Sequence, residues 1–492
     1  MIMTRDTRAT AAVIEFVTDW SLDRFPPEAV LLAKQCIVDG LGVILAGSTA
    51  HGTTIVREFV QAGNEVAEST VLGAGAFSCR ASSAALVNGT AGHALDFDDT
   101  QLSSSPDRIF GLLTHPTIPP LAAGLALGER LGVSGRQFLE AYLIGFEVEC
   151  KMAEAIDPSH YRNGFHSSGT FGTFGAMVSA AKLLGLDAGA LANALAIASS
   201  MSSGIRLNFG TMTKPLHVGR AAQNGVIAAE LAARGHTGGG EALESPWGFF
   251  HVFTMGAGFD PERLVGALGN PPSIVSPGVS LKPYPCGSLG HPSMDAMLKL
   301  VETHDVKPEQ VRAIRFRAGS NILNPLRYPT AQSELEAKFC PAFMMSSLVL
   351  RRKAGIHEFT DEFVRSGPVQ EMMRKVTTVR DAAIEARGFD RMRSIIEIDL
   401  TDDRTLVEEA DERYRGGPEK PFTREQLHGK FTDCASLVVR SDAIAETLAR
   451  LDSLEQVRNI RDVIGVLTAG ALAGQPATSS HQASAGPFGL IG

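Results

Sequence analysis

The chain has 492 residues, 44% of them apolar and 20% charged, which excludes a disordered or collagen-like polymer and leaves ample side chain for a large core. At about 150 residues per domain this is room for roughly two to four domains. Acidic residues outnumber basic ones, 54 to 45, for a net charge of −9, and no Lys/Arg-rich run occurs. A nucleic-acid binder normally shows the reverse, so a small-molecule partner is expected.

Helical punctuation begins at 23–47, where Pro26 and Pro27 suit a helix start and Val30, Ile37, Val38, Leu41, Ile44 and Leu45 recur at helical spacing. Further helices are expected at 81–96, 118–132, 136–156, 168–185, 188–203 and 217–235, and no segment before about residue 270 alternates as a strand should. The uncharged run 188–205 is rich in Ala, Ser and Gly and reads as a buried helix rather than a membrane span. After the proline-rich 270–277, Ile314, Phe316 and Ala318 alternate with Arg315 and Arg317, and Ile396, Ile398 and Leu400 flank Glu397 and Asp399. Helices are expected between these strands at 331–351 and 359–375, and again at 423–437 and 440–470.

The expected fold is therefore mainly α: a large all-helical domain of residues 1–269 and 406–473, with a smaller α+β lid of 270–405 inserted before the C-terminal helices. The uncharged, small-residue tail 474–492 is expected to be disordered. The scattered cysteines (36, 79, 150, 286, 340 and 434) form no CxxC pair, and residues 1–23 carry no signal-like apolar stretch. A soluble, cytoplasmic protein with reduced thiols is expected.

The densest polar cluster is His93-Ala94-Leu95-Asp96-Phe97-Asp98-Asp99-Thr100. On a helix His93 and Asp96 would share a face, whereas the three acids could not all face one cavity. By itself the cluster suits, in that order, capping acids, an acid/base pair or a metal site. His115 stands before Pro116 in a loop, and His166 lies between Gly164 and Gly169 among hydroxyls, where it could bind anions or simply cap a helix. Lys214 is a lone cation in 208–217, and Lys282, Tyr284 and His291 sit in proline-framed loops suited to a cleft rim. No GxSxG elbow, dinucleotide fingerprint, phosphate loop or HExxH occurs. Histidines and a lysine could hold a polycarboxylate while an Asp/His pair moves a proton.

In order, VNGTAGHALDFDDT (87–100), THP (114–116), GFHSSGTFG (164–172), GTMTKPLHVG (210–219), LKPYPC (281–286) with HP (291–292), and EAKF (336–339) resemble the MmgE/PrpD family across about residues 10–470. That family includes 2-methylcitrate dehydratase, cis-aconitate decarboxylase and iminodisuccinate epimerase. The resemblance implies a helical domain with a smaller lid, a cleft between them, a homodimer, and catalysis with neither metal nor organic cofactor. Matched motif by motif, it implies site residues Asp96, Thr100, His115, His166, Lys214 and His291, beside which His93 and Lys282 are further substrate-binding candidates.

The expected roles are His115 as acid/base, Asp96 as its partner, and Lys214 with His166 stabilising a developing enolate-like charge. Two departures stand out. Phe343 falls where the decarboxylating branch is expected to carry a tyrosine, and the stretch between Thr100 and His115 is long. The leading expectation is a lyase that dehydrates a 2-methylcitrate-type hydroxy acid. An isomerase or epimerase of an iminodisuccinate-like dicarboxylate comes next, then a cis-aconitate-type decarboxylase, a non-catalytic polycarboxylate binder and, as an outsider, a metal-dependent hydrolase. The partner is a small di- or tricarboxylate, with no nucleic acid and no membrane.

Overall fold

A computed structural model describes residues 8–102, 114–156, 159–388 and 391–472. It is mainly helical, with a smaller α+β part. The tail at 474–492 and most of the long stretch between Thr100 and His115 lie outside the described residues.

Two apolar clusters organise the chain. One draws on residues 9–281 and again on 427–467, and the other on 284–414 together with Leu102. Helices Ile118–Leu131, Gly135–Ala155, Ser167–Leu184, Ala188–Met201 and Thr213–Ala233 fall within a few residues of their expected bounds. Around the buried Ala81–Ala94 helix, small residues permit close crossings. Gly219, on Thr213–Ala233, lies so near this helix that a Cβ there would sit 2.1 Å from Thr90 Oγ1 and 2.4 Å from the Leu86 carbonyl. This crossing sets how far Lys214, on the same helix, reaches toward residues 93–100. Helix Pro27–Gly47 packs alongside, with proline in its first turn. It is long and apolar enough to cross a membrane, but 72% of its apolar window is buried inside the protein.

The first part is not all-helical, contrary to expectation. Strands β1 (Ser69–Val71) and β2 (Phe77–Cys79) form an antiparallel hairpin. At three residues each they are too short to display an alternating pattern.

In the second part, strands β3 (Val311–Ala318), β4 (Val376–Arg380), β5 (Ser394–Leu400) and β6 (Thr405–Glu409) form one sheet in the order β4-β3-β5-β6. Ile314 opposes Ile398 and Phe316 opposes Ile396 on the buried face, while Arg315 and Arg317 pair with Glu397, Asp399 and Asp381 on the other. The sheet runs past residue 405, the edge expected from sequence, because β6 closes it and Tyr414 still packs in the second cluster. The helix expected at 331–351 is broken into Glu334–Ala337 and Pro341–Arg351, since Pro341 can only start a helix. Similarly, 359–375 divides into Asp361–Val364 and Gly367–Arg374, and 440–470 into Ser441–Asp452, a 3-10 turn and Arg461–Ala469.

Candidate active site

The site is built on the end of the Ala81–Ala94 helix. The helix stops at Ala94, and Asp96 adopts a left-handed backbone with φ +53°, a conformation that Asp tolerates better than most residues. The turn that follows carries three successive lysine caps. Lys338 Nζ donates to the Ala94 carbonyl at 3.1 Å, Lys282 Nζ to the Asp96 carbonyl at 3.0 Å, and Lys430 Nζ to the Phe97 carbonyl at 2.8 Å. Cations suit the negative end of a helix, and these three come from distant parts of the chain. Thr100 extends the turn through an antiparallel bridge to Ser280, and Leu102 already belongs to the second apolar cluster. The 96–102 segment thus runs along the junction of the two cores.

Asp96 sits in an ion cluster. Its carboxylate accepts a short hydrogen bond from Lys214 Nζ, and Lys282 Nζ lies 3.3 Å from the same oxygen. Burial alone would raise the Asp96 pKa, but the two ammonium groups outweigh it and hold the acid well below its usual range. Burial pulls Lys214 down while Asp96 opposes it. The Lys214 ammonium also lies 5.2 Å from the ring centre of Phe209 and 5.4 Å from that of Phe339. Two cations share one carboxylate here, so the group carries positive charge for a further anion.

The histidines form a second group beside it. His93 and His115 have ring centres 4.5 Å apart, and His93 and His166 5.6 Å. His93 Nδ1 lies 2.9 and 3.0 Å from the two oxygens of Asp98, and no described residue bonds its buried Nε2. His115 Nδ1 donates to the Asp99 carbonyl at 2.8 Å, with Thr100 Oγ1 and Asp98 Oδ2 both at 3.4 Å. In its neutral form this leaves a lone pair on His115 Nε2. The His115 backbone N–H is held by Ser168 Oγ at 2.9 Å. His166 is the N-cap residue of Ser167–Leu184 and makes no side-chain cap; its ring turns instead to His217, with the two Nδ1 atoms 3.0 Å apart. Burial drives His93, His115 and His166 well below the usual histidine range, so all three are neutral at neutral pH.

Behind this layer Asp99 accepts from the Thr117 hydroxyl at 2.7 Å and the Thr117 N–H at 3.2 Å, and burial pushes its carboxyl up to about 8. An acid whose pKa is raised on folding costs stability progressively as pH climbs from its unfolded value, near 4, to its folded one. Asp99→Asn removes that titration. Its Tm relative to wild type is expected to rise from pH 5 to pH 8 and to level off above 8, as followed by differential scanning fluorimetry. A difference that stays flat would mean that Asp99 is ionised throughout.

The structure thus gathers Asp96, Thr100, His115, Lys214, His166, His93 and Lys282 into one neighbourhood, with three differences from the sequence reading. Asp96 is not hydrogen-bonded to His115, because the two lysines occupy it; the acid at the histidines is Asp98, which the sequence reading left without a role. The turn at 95–97 keeps Asp96 near His93, as the helical spacing expected, but gives its carboxylate to the lysines. His291 donates through Nε2 to the Cys286 carbonyl at 3.2 Å, packs edge-on against Tyr284 and makes no hydrogen bond to the histidine group. Its buried Nδ1 bonds no described residue, so these contacts neither fill nor exclude a ligand's place there.

Phe343 is fully buried in the second cluster, edge-on to Phe359, and so has no bearing on the site. A tyrosine instead stands ahead of the EAKF stretch. The Tyr328 N–H bonds the Phe339 carbonyl at 3.1 Å, and its hydroxyl lies 2.7 Å from where a Cβ on Gly210 would be. It therefore borders the loop that leads into Lys214. Position along the chain could not show this, because the contact is made only through the fold.

Among the described residues, one trio, His93, Asp96 and His115, brings possible metal-donor atoms within 4.8 Å of one another. Its carboxylate is already taken by two ammonium groups, and His93 presents a donor N–H to Asp98. The two ammonium groups repel a cation there, and it is they that suit an anion.

Two family models together match most of the chain. The MmgE/PrpD N-terminal domain model matches residues 11–262 and the MmgE/PrpD C-terminal domain model residues 284–454. The chain belongs to the MmgE/PrpD family. Relatives within it include a cis-aconitate decarboxylase of Mus musculus, 30% identical over 440 residues that cover 87% of this chain and 86% of the relative. The Homo sapiens enzyme of that name is 28% identical over 437 residues, covering 87% and 88%. One from Aspergillus terreus is 22% identical over 480 residues, covering 93% and 95%. The boundary between the two family models, at 262–284, coincides with the passage from the first apolar cluster to the second.

Proposed function

We propose that this MmgE/PrpD member is a cofactor-independent lyase acting next to a carboxylate of a small polycarboxylate, and that it releases CO2 from a cis-aconitate-type tricarboxylate. The observation that carries this reading is the Lys214–Asp96–Lys282 cluster beside three neutral histidines. Loss of CO2 from the CH2 carbon of such an acid sends the bonding pair through the double bond to the carbon that bears the distal carboxylate. The intermediate keeps the three negative charges of the substrate, two of them on an enediolate-like unit that buried ammonium groups and N–H donors stabilise as it forms. One proton then closes that carbon, so the reaction consumes one proton and yields one CO2. The cis-aconitate decarboxylases among the relatives support the same choice.

Dehydration of a 2-methylcitrate-type acid needs a base for the carbon-bound proton as well as an acid to carry off hydroxide, whereas decarboxylation needs only the acid. One observation nonetheless favours proton abstraction: His93, oriented by Asp98, keeps an unpaired Nε2 and is arranged as a base. Proton NMR of the enzyme with cis-aconitate, citrate, 2-methylcitrate and iminodisuccinate separates the readings. New methylene-alkene signals from cis-aconitate support decarboxylation. Alkene formed from a citrate supports dehydration, and α-proton exchange without net conversion supports epimerisation.

The chain is further proposed to be a cytoplasmic homodimer. Six free, buried cysteines fit a reducing compartment, and Trp247 (90% exposed) and Val252 (53%) offer apolar surface on one cleft. Light scattering coupled to size exclusion is expected to give twice the chain mass; a chain mass at micromolar concentration would reject the dimer.

A further inference from the structure

His217 plays no part in the mechanism above, yet among the described residues it is the side-chain hydrogen-bond partner of His166. The two Nδ1 atoms are 3.0 Å apart, so one carries the hydrogen and the other accepts it. The contact is built into the backbone. Gly204 has φ +133°, and its carbonyl accepts from the His166 N–H at 3.0 Å. A Cβ on Gly204 would lie 3.2 Å from His217 Cγ, 3.3 Å from His217 Nδ1 and 3.5 Å from His166 Cβ. A Cβ on Gly169 would lie 3.2 Å from His217 Cβ. Both glycines leave the space in which the two rings meet.

We infer that His217 is a positioning residue that fixes His166 as the tautomer with its hydrogen on Nε2, so that a neutral imidazole donates to the anionic substrate. Resting on the polycarboxylate reading above, this assigns the pair a direction: His217 Nδ1–H donates to His166 Nδ1. Three features support that direction. His217 is only half-buried, so water reaches its side of the pair. His166 packs against His93 and Phe209, and among the described residues nothing bonds its Nε2, which leaves that nitrogen for the substrate. An incoming carboxylate requires a donor there, not a lone pair. The opposite tautomer would turn a lone pair toward the anion, and an imidazolium would have to form against burial and the nearby lysine.

The inference is tested by exchanging the group at 217. Asn can present an amide N–H near the position of His Nδ1, Ala presents nothing, and Asp can only accept. His217→Ala and His217→Asp are each expected to lower kcat/KM by about 10–100-fold, the usual scale for losing a group that orients a catalytic side chain. His217→Asn is expected to recover most of the wild-type value, with all three keeping wild-type Tm within a few degrees. The second readout needs no substrate. In protein labelled with 15N-histidine, with His166 assigned by difference against His166→Gln, wild type and His217→Asn are expected to show a protonated Nε2 and a bare Nδ1. His217→Asp is expected to show a protonated Nδ1. A protonated His166 Nδ1 in wild type would overturn the inference, as would full activity in a folded His217→Ala. If the 15N pattern is as expected but no tricarboxylate turns over, the tautomer assignment stands and the lyase reading fails.

Discussion

Replacing Lys214 with methionine is expected to lower kcat/KM for a cis-aconitate-type acid by about 100- to 1,000-fold, the scale for removing one donor aimed at developing negative charge. The substitution keeps the length and the apolar contacts with Phe209 and Phe339 while removing the ammonium. It also leaves Asp96 buried with Lys282 alone, so the protein should lose stability and the Asp96 pKa should rise. The double variant Lys214→Met/Asp96→Asn should recover neither Tm nor turnover, because it leaves the Lys282 ammonium buried without its carboxylate. Lys214→Arg should rescue poorly, because a planar fork does not reproduce a point charge in the space between two phenyl rings. Turnover of Lys214→Met within twofold of wild type would rule out the anion clamp.

His115→Gln is expected to cost about 100- to 10,000-fold in kcat, with a smaller change in KM, the range for loss of a general acid. In the free protein burial keeps His115 neutral, with the lysines adding to that and Asp98 opposing it. A bound trianion reverses the local field and allows His115 to take up a proton and pass it to carbon. Its position favours this: it is 8% exposed, backed by the Asp99 carbonyl and steadied through its backbone by Ser168. Because protonation accompanies binding, kcat/KM should fall as pH rises, and this limb should disappear in His115→Gln. An unchanged pH profile in the variant would place the proton elsewhere, with His93 the next candidate.

Sequence patterns revealed much of this architecture because several long helices around the site are largely buried and bounded by glycine, proline or a capping side chain. Helix Gly135–Ala155, for example, starts at a Ser134–Gln137 capping box and lies one residue from its expected bounds. The sheet was only half legible. β3 and β5 alternate cleanly because they are central, whereas β4 and β6 lie at the edges with half-exposed or exposed side chains throughout and offer no apolar signal. At the site, residue types and motif order identified the side chains that meet, but not their pairings. Those depend on a turn at 95–97 that follows the helix, on lysines that arrive from residues 282, 338 and 430, and on a glycine-lined gap that admits His217. Lys338 lay in plain view in EAKF, yet its partner, the Ala94 carbonyl, is 244 residues away.

The most direct measurement follows chelator-treated enzyme acting on cis-aconitate in D2O, with CO2 counted and the product analysed by mass spectrometry and NMR. The expected result is one CO2 per product, with one deuteron placed on the carbon next to the distal carboxylate and undiminished rate after metal removal. Product formed without CO2, deuterium at a different carbon, or activity that returns only when a divalent metal is added would contradict a lysine-clamped, cofactor-free decarboxylation.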